Sequence, residues 1–207
     1  MKNEKKFIIL EISLFLAFIM TVTVSSFSSD EKNCREIREN VLRLHVIANS
    51  DSEDDQKLKL KVRDAVLSAG SSLFDGTTDT ETAVTKAREE TDYLTDTAQN
   101  VIDESGFDYD VKIEVGKSRF PTREYDNITL PAGEYTAVRV ILGKGEGHNW
   151  WCVMFPPLCL PAAENKAELS DVLSDSAVAF AESGKKYEVK FKIIEWYEEL
   201  KMKFASR

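Results

Sequence analysis

The stretch VLRLHVIANSDSEDDQ, residues 41–56, contains the change from strand to helix that decides the fold. Apolar and polar residues alternate in its first half, which predicts a strand with Leu42, Leu44 and Val46 on a face covered by a helix. The opposite face, with Arg43 and His45, is then expected to be half-exposed. A helix should begin after Ser52, because a serine caps the first turn and the acidic residues that follow suit the helix dipole.

The rest of the chain supplies more helices and strands by its apolar spacing. The first helix should end at Gly70, and further helices are predicted over residues 80–105, 169–180 and 191–204. Strands are predicted over 109–115, 135–142 and 149–155, and the last two should form a hairpin with a glycine-rich loop of about six residues. This order predicts an α+β fold, in which a mainly antiparallel sheet of about four strands carries helices on one face.

The N-terminus predicts export. Three lysines precede an apolar run over residues 7–24, and serines follow it. This pattern is typical either of a cleaved secretory signal or of an uncleaved membrane anchor. We therefore divide the chain into a signal peptide or anchor (1–29), a linker or short helix (30–40) and a single α+β domain (41–207). The same run is expected to contact the membrane before cleavage or without it.

Composition excludes one class of partner. The net charge is -9, and no basic cluster gathers the lysines and arginines that phosphate contacts need. We expect no nucleic-acid partner.

Three cysteines leave two chemical interpretations open. Outside the cytosol Cys152 and Cys159, which are separated by six residues that include a Pro-Pro, are expected to form a structural disulfide, with Cys34 left over. In the alternative, Cys152 is the nucleophile of a secreted thiol hydrolase acting on cell-wall peptides, and His45 is its base. His148 is too far from Cys152 along a strand to serve. No metal or cofactor is predicted, because neither zinc-ligand spacing nor a phosphate-binding loop is present.

Two features suggest a surface for a partner. Trp150 and Trp151 are adjacent on a strand and must point to opposite faces, so one of them needs a cover outside the main core. That cover is either a partner or another part of the chain, such as the C-terminal helix or the proline-rich loop. Asn49, Ser50 and Asp51 lie between strand and helix, where site residues often collect, and helix capping does not explain them.

The chain resembles a known family over two blocks. The stretches LRLHVIANSDSEDDQKLKLKVRDAV (residues 42–66) and FPTREYDNITLPAGEYTAVRVILGKGEGHNWWCVMFPPLC (residues 120–159), together with the signal-like N-terminus, resemble stage II sporulation protein R of endospore-forming bacteria. The motif positions are Arg43, Asn49, Ser50, Asp51, Pro131, Gly133, Glu134, Tyr135, Asn149, Trp150, Trp151, Cys152, Pro156, Pro157 and Cys159.

The resemblance implies a signalling function without catalytic residues. Members of this family are exported from the forespore into the space between the two sporangial membranes. There they activate a membrane-embedded aspartic-type protease of the mother cell, which then processes pro-sigma-E. We expect the same localisation and partner here, and no enzymatic activity. As a hypothesis, the residues that contact the protease are Arg43, Asn49, Ser50, Asp51, Tyr135, Asn149, Trp150 and Trp151.

Overall fold

A long helix opens the chain. The computed structural model describes residues 2–125, 128–158, 169–183 and 188–205, and helix α1 spans Lys2–Glu39. Large apolar side chains between Ile12 and Met20 are exposed, whereas Cys34 and Ile37 near the end of α1 are fully buried. No helix in the described part of the chain combines the length and hydropathy of a membrane span. The signal or anchor role of residues 1–29 stays a prediction.

Three helices follow the first strand. Strand β1 (Leu42–Ile47) leads into α2 (Glu53–Leu73), α3 (Thr80–Glu89) and α4 (Thr91–Glu104). The predicted cap is confirmed, because Ser52 Oγ accepts a hydrogen bond from the Asp55 amide at 3.2 Å. The prediction that α2 ends at Gly70 is wrong, because the helix continues to Leu73 and Gly70 lies inside it against Met154. The helix predicted over residues 80–105 is divided in two at Glu90.

The sheet is mixed. Its other strands are β2 (Val111–Phe120), β5 (Gly133–Leu142) and β6 (Asn149–Phe155), and the order is β2-β5-β1-β6. β1 runs parallel to β5, while the β2–β5 and β1–β6 pairs are antiparallel. The prediction of an α+β fold with four strands is confirmed, but its mainly antiparallel sheet contains one parallel pair at its centre. In the segment that connects β2 to β5 along the chain, the short strands β3 (Arg123–Tyr125) and β4 (Ile128–Leu130) form a separate two-stranded ribbon.

The predicted hairpin is wrong, because β1 lies between β5 and β6. The connection over residues 143–148 crosses the end of β1, where the Gly147 amide donates to the Ala48 carbonyl at 2.9 Å. The prediction joined two strands that are neighbours in sequence. Residues 42–46 of β1 are all buried, so side chains on both faces of this strand are covered. This is the burial expected of a strand with a neighbour on each side.

Helices cover both faces of the sheet. On one face Leu42, Leu44 and Val46 pack with α2, α3 and α4. On the other face Val41, Ala137 and Val153 pack with the end of α1, with α5 (Asp175–Glu182) and with α6 (Glu188–Ala205).

The expectation of helices on one face only, with a half-exposed Arg43–His45 face, is therefore wrong. Residues 30–40 were predicted from sequence as a linker or short helix. The structure assigns residues 30–39 to the end of α1, which helps to cover that second face. Their apolar residues were too few to show this by periodicity.

Candidate functional site

A fully buried arginine lies at the centre of the second face. The Arg43 guanidinium carbon lies 4.2 Å from the ring centroid of Phe120 and 4.9 Å from that of Tyr135. No carboxylate among the described residues is within ion-pair distance of it. Burial lowers the pKa of Arg43, and contacts with the Tyr125 and Tyr135 phenols act in the opposite direction. Arginine stays protonated under such conditions, so aromatic faces and neutral oxygens stabilise this charge.

The hydrogen bonds of Arg43 hold β6. Its Nε donates to the carbonyl of Cys152 at 2.9 Å, and one terminal nitrogen donates to the Tyr125 hydroxyl at 2.6 Å. That hydroxyl donates in turn to the carbonyl of Trp151 at 3.2 Å. Arg43 thus fixes the backbone of β6 at two successive residues and attaches the β3–β4 ribbon to it. The other terminal nitrogen has no hydrogen-bond partner among the residues that the structure describes.

Trp151 is held in an aromatic stack next to Arg43. Its ring lies parallel to that of His45, with centroids 3.8 Å apart and 20° between the planes. Phe120 meets Trp151 edge-on at 4.9 Å. His45 Nε2 lies 2.8 Å from Asn149 Oδ1, which fixes the imidazole from the end of β6. Aromatic rings packed in this geometry stabilise the fold by more than the burial of their apolar area alone.

The half-buried ring of Trp151 lines a surface groove of about 320 Å³. The apolar part of the groove is formed by Phe120, Pro121 and Trp151, and the acidic edge comes from α6. The remaining lining residues are Arg119, Ala132, Gly133, Glu195, Glu198 and Glu199.

Trp150 points to the opposite face, as its position next to Trp151 predicted. It packs at the edge of the α2–α4 core, half-buried, with the Arg63 guanidinium carbon 4.4 Å from its ring centroid. Its indole nitrogen is buried and has no hydrogen-bond partner among the described residues. Neither tryptophan lies on a bare sheet face. Each is partly covered by the chain itself, and that was one of the two alternatives left open by the sequence.

The residues between β1 and α2 form a hydrogen-bonded network around Asp55. One carboxylate oxygen of Asp55 accepts from Ser50 Oγ at 2.5 Å and Asn49 Nδ2 at 2.9 Å, and the other accepts from the Tyr109 hydroxyl at 2.8 Å. Burial raises the pKa of Asp55, but these hydrogen bonds outweigh it and hold the pKa below its ordinary value. Asn49 and Ser50 are thus partners of a buried carboxylate.

The same junction holds the connection between β5 and β6. Asn49 Oδ1 accepts from the Lys144 amide at 3.0 Å, and Asp51 Oδ1 accepts from the His148 amide at 2.6 Å and also contacts the imidazole of His148. The backbone approaches so closely that a Cβ on Gly147 would lie 2.2 Å from the Ser50 carbonyl oxygen. Asp51 and His148 remain exposed.

The structure does not bring Cys152 and His45 together. Cys152 packs in the α2–α4 core opposite Leu44, whereas His45 stacks on Trp151 on the other face of the sheet. The cysteine–histidine pair of the hydrolase alternative is therefore absent from the described geometry. Cys159 lies outside the described residues, and the Cys152–Cys159 disulfide stays a prediction.

Cys34 is a free and fully buried thiol. Burial raises its pKa to about 12, which keeps it protonated. In the part of the chain that the structure describes, no three His, Cys, Asp or Glu side chains are grouped to hold a metal ion.

Sequence reasoning missed three residues that organise this region: Asp55, Phe120 and Tyr125. Asp55 was explained as part of the first turn of a helix, and nothing local marks it as the acceptor for Asn49 and Ser50. Phe120 and Tyr125 lie in the second resemblance block, residues 120–159. No sequence pattern predicts their contact with Arg43, which is 77 or more residues away in sequence.

These features define an α+β protein whose mixed sheet is covered on both faces, with a buried arginine–aromatic cluster supporting a half-exposed tryptophan. The chain belongs to the stage II sporulation protein R family, whose family model matches residues 38–165. It is 33% identical to stage II sporulation protein R of Bacillus subtilis (strain 168) over 222 aligned positions, which cover 95% of this chain and 99% of that relative. No solved structure matches the chain. Family membership supports a role in sporulation.

Proposed function

We propose that the protein is an exported sporulation signal that activates a membrane-embedded aspartic-type protease and thereby triggers processing of mother-cell pro-sigma-E. Family membership over 95% of the chain supports the sporulation part of this proposal. The observation that carries the binding part is the rigidly held ring of Trp151, which borders an open groove. A preformed aromatic anchor binds with a smaller loss of conformational entropy than a mobile one.

The proposed location is the space between the two sporangial membranes. The basic start and apolar middle of α1 support export from the forespore, with residues 7–24 contacting the membrane before or without cleavage. In that compartment a Cys152–Cys159 disulfide would form. Cys34 is a free thiol in the core on the opposite face of the sheet from Cys152, so Cys159 is the partner we propose.

The predicted contact residues divide into two roles in this proposal. Arg43 and Tyr135 are fully buried, so we assign them to positioning the β6 backbone and the aromatic rings. Asn49 and Ser50 have the same kind of role at the junction. Trp151, the exposed Asn149 at the start of β6 and the exposed Asp51 in the junction between β1 and α2 remain available to a partner. Trp150 is our second candidate, at the other face.

The proposed mechanism is a shift of the protease's equilibrium toward its active form. This requires only that the groove binds the active form more tightly than the inactive one. We propose no catalytic residue in this chain, because the cysteine and histidine of the rival hydrolase mechanism lie on opposite faces of the sheet.

The test mixes the purified full chain with membranes that contain the protease and measures cleavage of pro-sigma-E. Cleavage should rise with the concentration of the chain. Trp151→Ala should raise the concentration that gives half-maximal cleavage by about 30-fold, as expected for loss of a central aromatic contact. Tyr93→Ala is the matched control, because Tyr93 is an exposed aromatic residue on α4.

Circular dichroism and thermal unfolding establish that both variants are folded, and Trp151→Phe keeps an aromatic ring if the alanine variant is unstable. No increase in cleavage at saturating concentrations of the folded chain would contradict the function itself. Equal activation by the Trp151 and Tyr93 variants would contradict the groove alone.

A further inference from the structure

Helix α6 has a second apolar face that the rest of the described chain does not cover. Phe191 and Ile194 face the core, while large apolar residues on the opposite side of the helix are exposed. The exposed fractions are 48% for Ile193, 65% for Trp196 and 73% for Phe204. With Tyr197 and Leu200 these residues follow the three- and four-residue spacing of one helical face. We name this set, residues 193, 196, 197, 200 and 204, the outer stripe.

Charges on α6 are segregated with respect to the outer stripe. Lys192 and Lys203 lie along one edge of it and Lys201 along the other, at about 100° per residue, and all three side chains are exposed. Glu195, Glu198 and Glu199 lie on the side of α6 that borders the groove, and Glu198 also pairs with Lys201 at 3.2 Å. Glu195 and Glu199 line the groove beside Trp151, and Glu198 is 3.5 Å from Arg38 of α1. The solvent side of α6 is thus apolar at its centre and basic at its edges, in a chain of net charge -9.

We propose that the outer stripe is a membrane-binding surface that lies in the headgroup region of a bilayer rich in anionic lipid. An apolar helix face with tryptophan and phenylalanine, bordered by lysines, is the arrangement of helices that lie in the plane of a membrane interface. The aliphatic parts of the lysines extend along the apolar surface, and their ammonium groups reach the lipid phosphates. The acidic remainder of the surface would be repelled, which leaves α6 as the docking side.

This surface is separate from the apolar part of α1 and from the protease-binding groove. It orients the domain, because Glu195 and Glu199 place the groove next to the face that lies on the lipid. A signal that must find a membrane-embedded receptor gains from a search confined to the plane of the bilayer. Lipid binding by the outer stripe requires no particular protein partner.

The experiment uses the fluorescence of Trp196 in the full chain. The apolar residues of α1 can also bind lipid, so sedimentation with vesicles alone would not report on α6. Vesicles of brominated phosphatidylcholine mixed with phosphatidylglycerol should quench the emission of Trp196, and those without phosphatidylglycerol should quench it much less. Trp196→Phe isolates the contribution of the half-buried Trp150 and Trp151, and this variant should lose the quenching.

A lysine series tests the charge. Replacing Lys192, Lys201 and Lys203 together by glutamine should raise the vesicle concentration for half-maximal quenching roughly 100-fold, at about fivefold per lysine. The matched control replaces Lys57, Lys61 and Lys112, which are exposed lysines on α2 and β2, and should change it less than tenfold.

Two results would overturn the proposal. One is an unquenched Trp196 in a chain that sediments with the vesicles. The other is loss of protease activation in Trp196→Ala without any lipid quenching in the parent chain, which would identify the outer stripe as a protein contact.

Discussion

The imidazole of His45 lies flat against the indole of Trp151, on adjacent strands β1 and β6. The imidazole is buried, and Nδ1 has no hydrogen-bond partner among the described residues. Burial lowers the pKa of His45, the hydrogen bond to Asn149 raises it, and the charge of Arg139 on the neighbouring strand lowers it, with a net decrease. His45 is therefore neutral at pH 7, and its protonation would place a second cation beside Arg43.

We predict that stability falls on acidification because of His45. Its folded-state pKa is below the unfolded value near 6.5, so the unfolded chain binds the extra proton first. The contribution is complete above about pH 6.5 and is lost as pH falls from there toward the folded-state pKa, by at most about 1.4 kcal/mol per pH unit. Urea unfolding at pH 7.0, 6.0 and 5.5 should show this slope in the parent chain and a smaller one in His45→Gln. An unchanged slope in His45→Gln would assign the pH dependence to another group. His148→Gln, which replaces an exposed histidine, serves as the control.

Arg43→Lys should destabilise the domain by about 2–3 kcal/mol. Lysine cannot reproduce the planar fork that reaches both the Cys152 carbonyl and the Tyr125 hydroxyl, and its compact charge is harder to bury. Chemical denaturation measures the loss. Arg88→Lys, at an exposed position on α3, should change the free energy of unfolding by less than about 0.5 kcal/mol. Equal effects of the two substitutions would show that the fork geometry of Arg43 does not matter.

Two glycine substitutions should have opposite effects. Gly147→Ala places a Cβ 2.2 Å from the Ser50 carbonyl oxygen and should cost about 1–3 kcal/mol. Gly116→Ala in β2 meets no atom within 4 Å and should be neutral or stabilise by up to about 1 kcal/mol, because alanine restricts the unfolded chain. Thermal unfolding distinguishes the two. A Gly147 variant as stable as the parent would mean that the loop over residues 143–148 can move away from the end of β1.

Asp55→Asn should destabilise by about 2 kcal/mol or more. An amide cannot accept all the hydrogen bonds that Asn49, Ser50 and Tyr109 donate to the carboxylate, and part of the network is then left unsatisfied. Asp54→Asn loses only a helix-dipole interaction at an exposed position and should cost less than about 1 kcal/mol. Denaturant midpoints at pH 7 provide the comparison, and a larger loss in the Asp54 variant would refute the central role of Asp55.

Thiol counting separates the two chemical interpretations of the cysteines. Burial raises the pKa of Cys34 to about 12, so the folded chain should react slowly with alkylating reagents. After unfolding without reductant, one reactive thiol is expected if Cys152 and Cys159 are linked. Three would show that no disulfide forms in this chain of three cysteines. A fast-reacting Cys152 in the folded chain would revive the thiol hydrolase.

Local pattern predicted the elements well where one face of an element is apolar. The strand over 149–155 was predicted with its observed bounds, as was the cap at Ser52, and the opposite directions of Trp150 and Trp151 followed from strand geometry alone. Pairing was not predictable in this way. Nothing between residues 142 and 149 indicates that a strand about 100 residues earlier inserts between β5 and β6.

The second sheet face also escaped prediction for a physical reason. Arg43 and His45 are polar, and polar residues on alternate positions normally mark the solvent side of a strand. Here the charge of Arg43 is stabilised by the faces of Phe120 and Tyr135, which are distant in sequence. Burial of a lone arginine depends on such partners, and they become visible only in three dimensions.

The central position of β1 has a consequence for biogenesis. Its first neighbour, β5, begins 86 residues after β1 ends, and β6 comes later still. During synthesis, β1 stays unpaired until most of the polypeptide has emerged from the ribosome. Under the export that we propose, this late pairing would keep the sheet from closing before the chain has crossed the membrane.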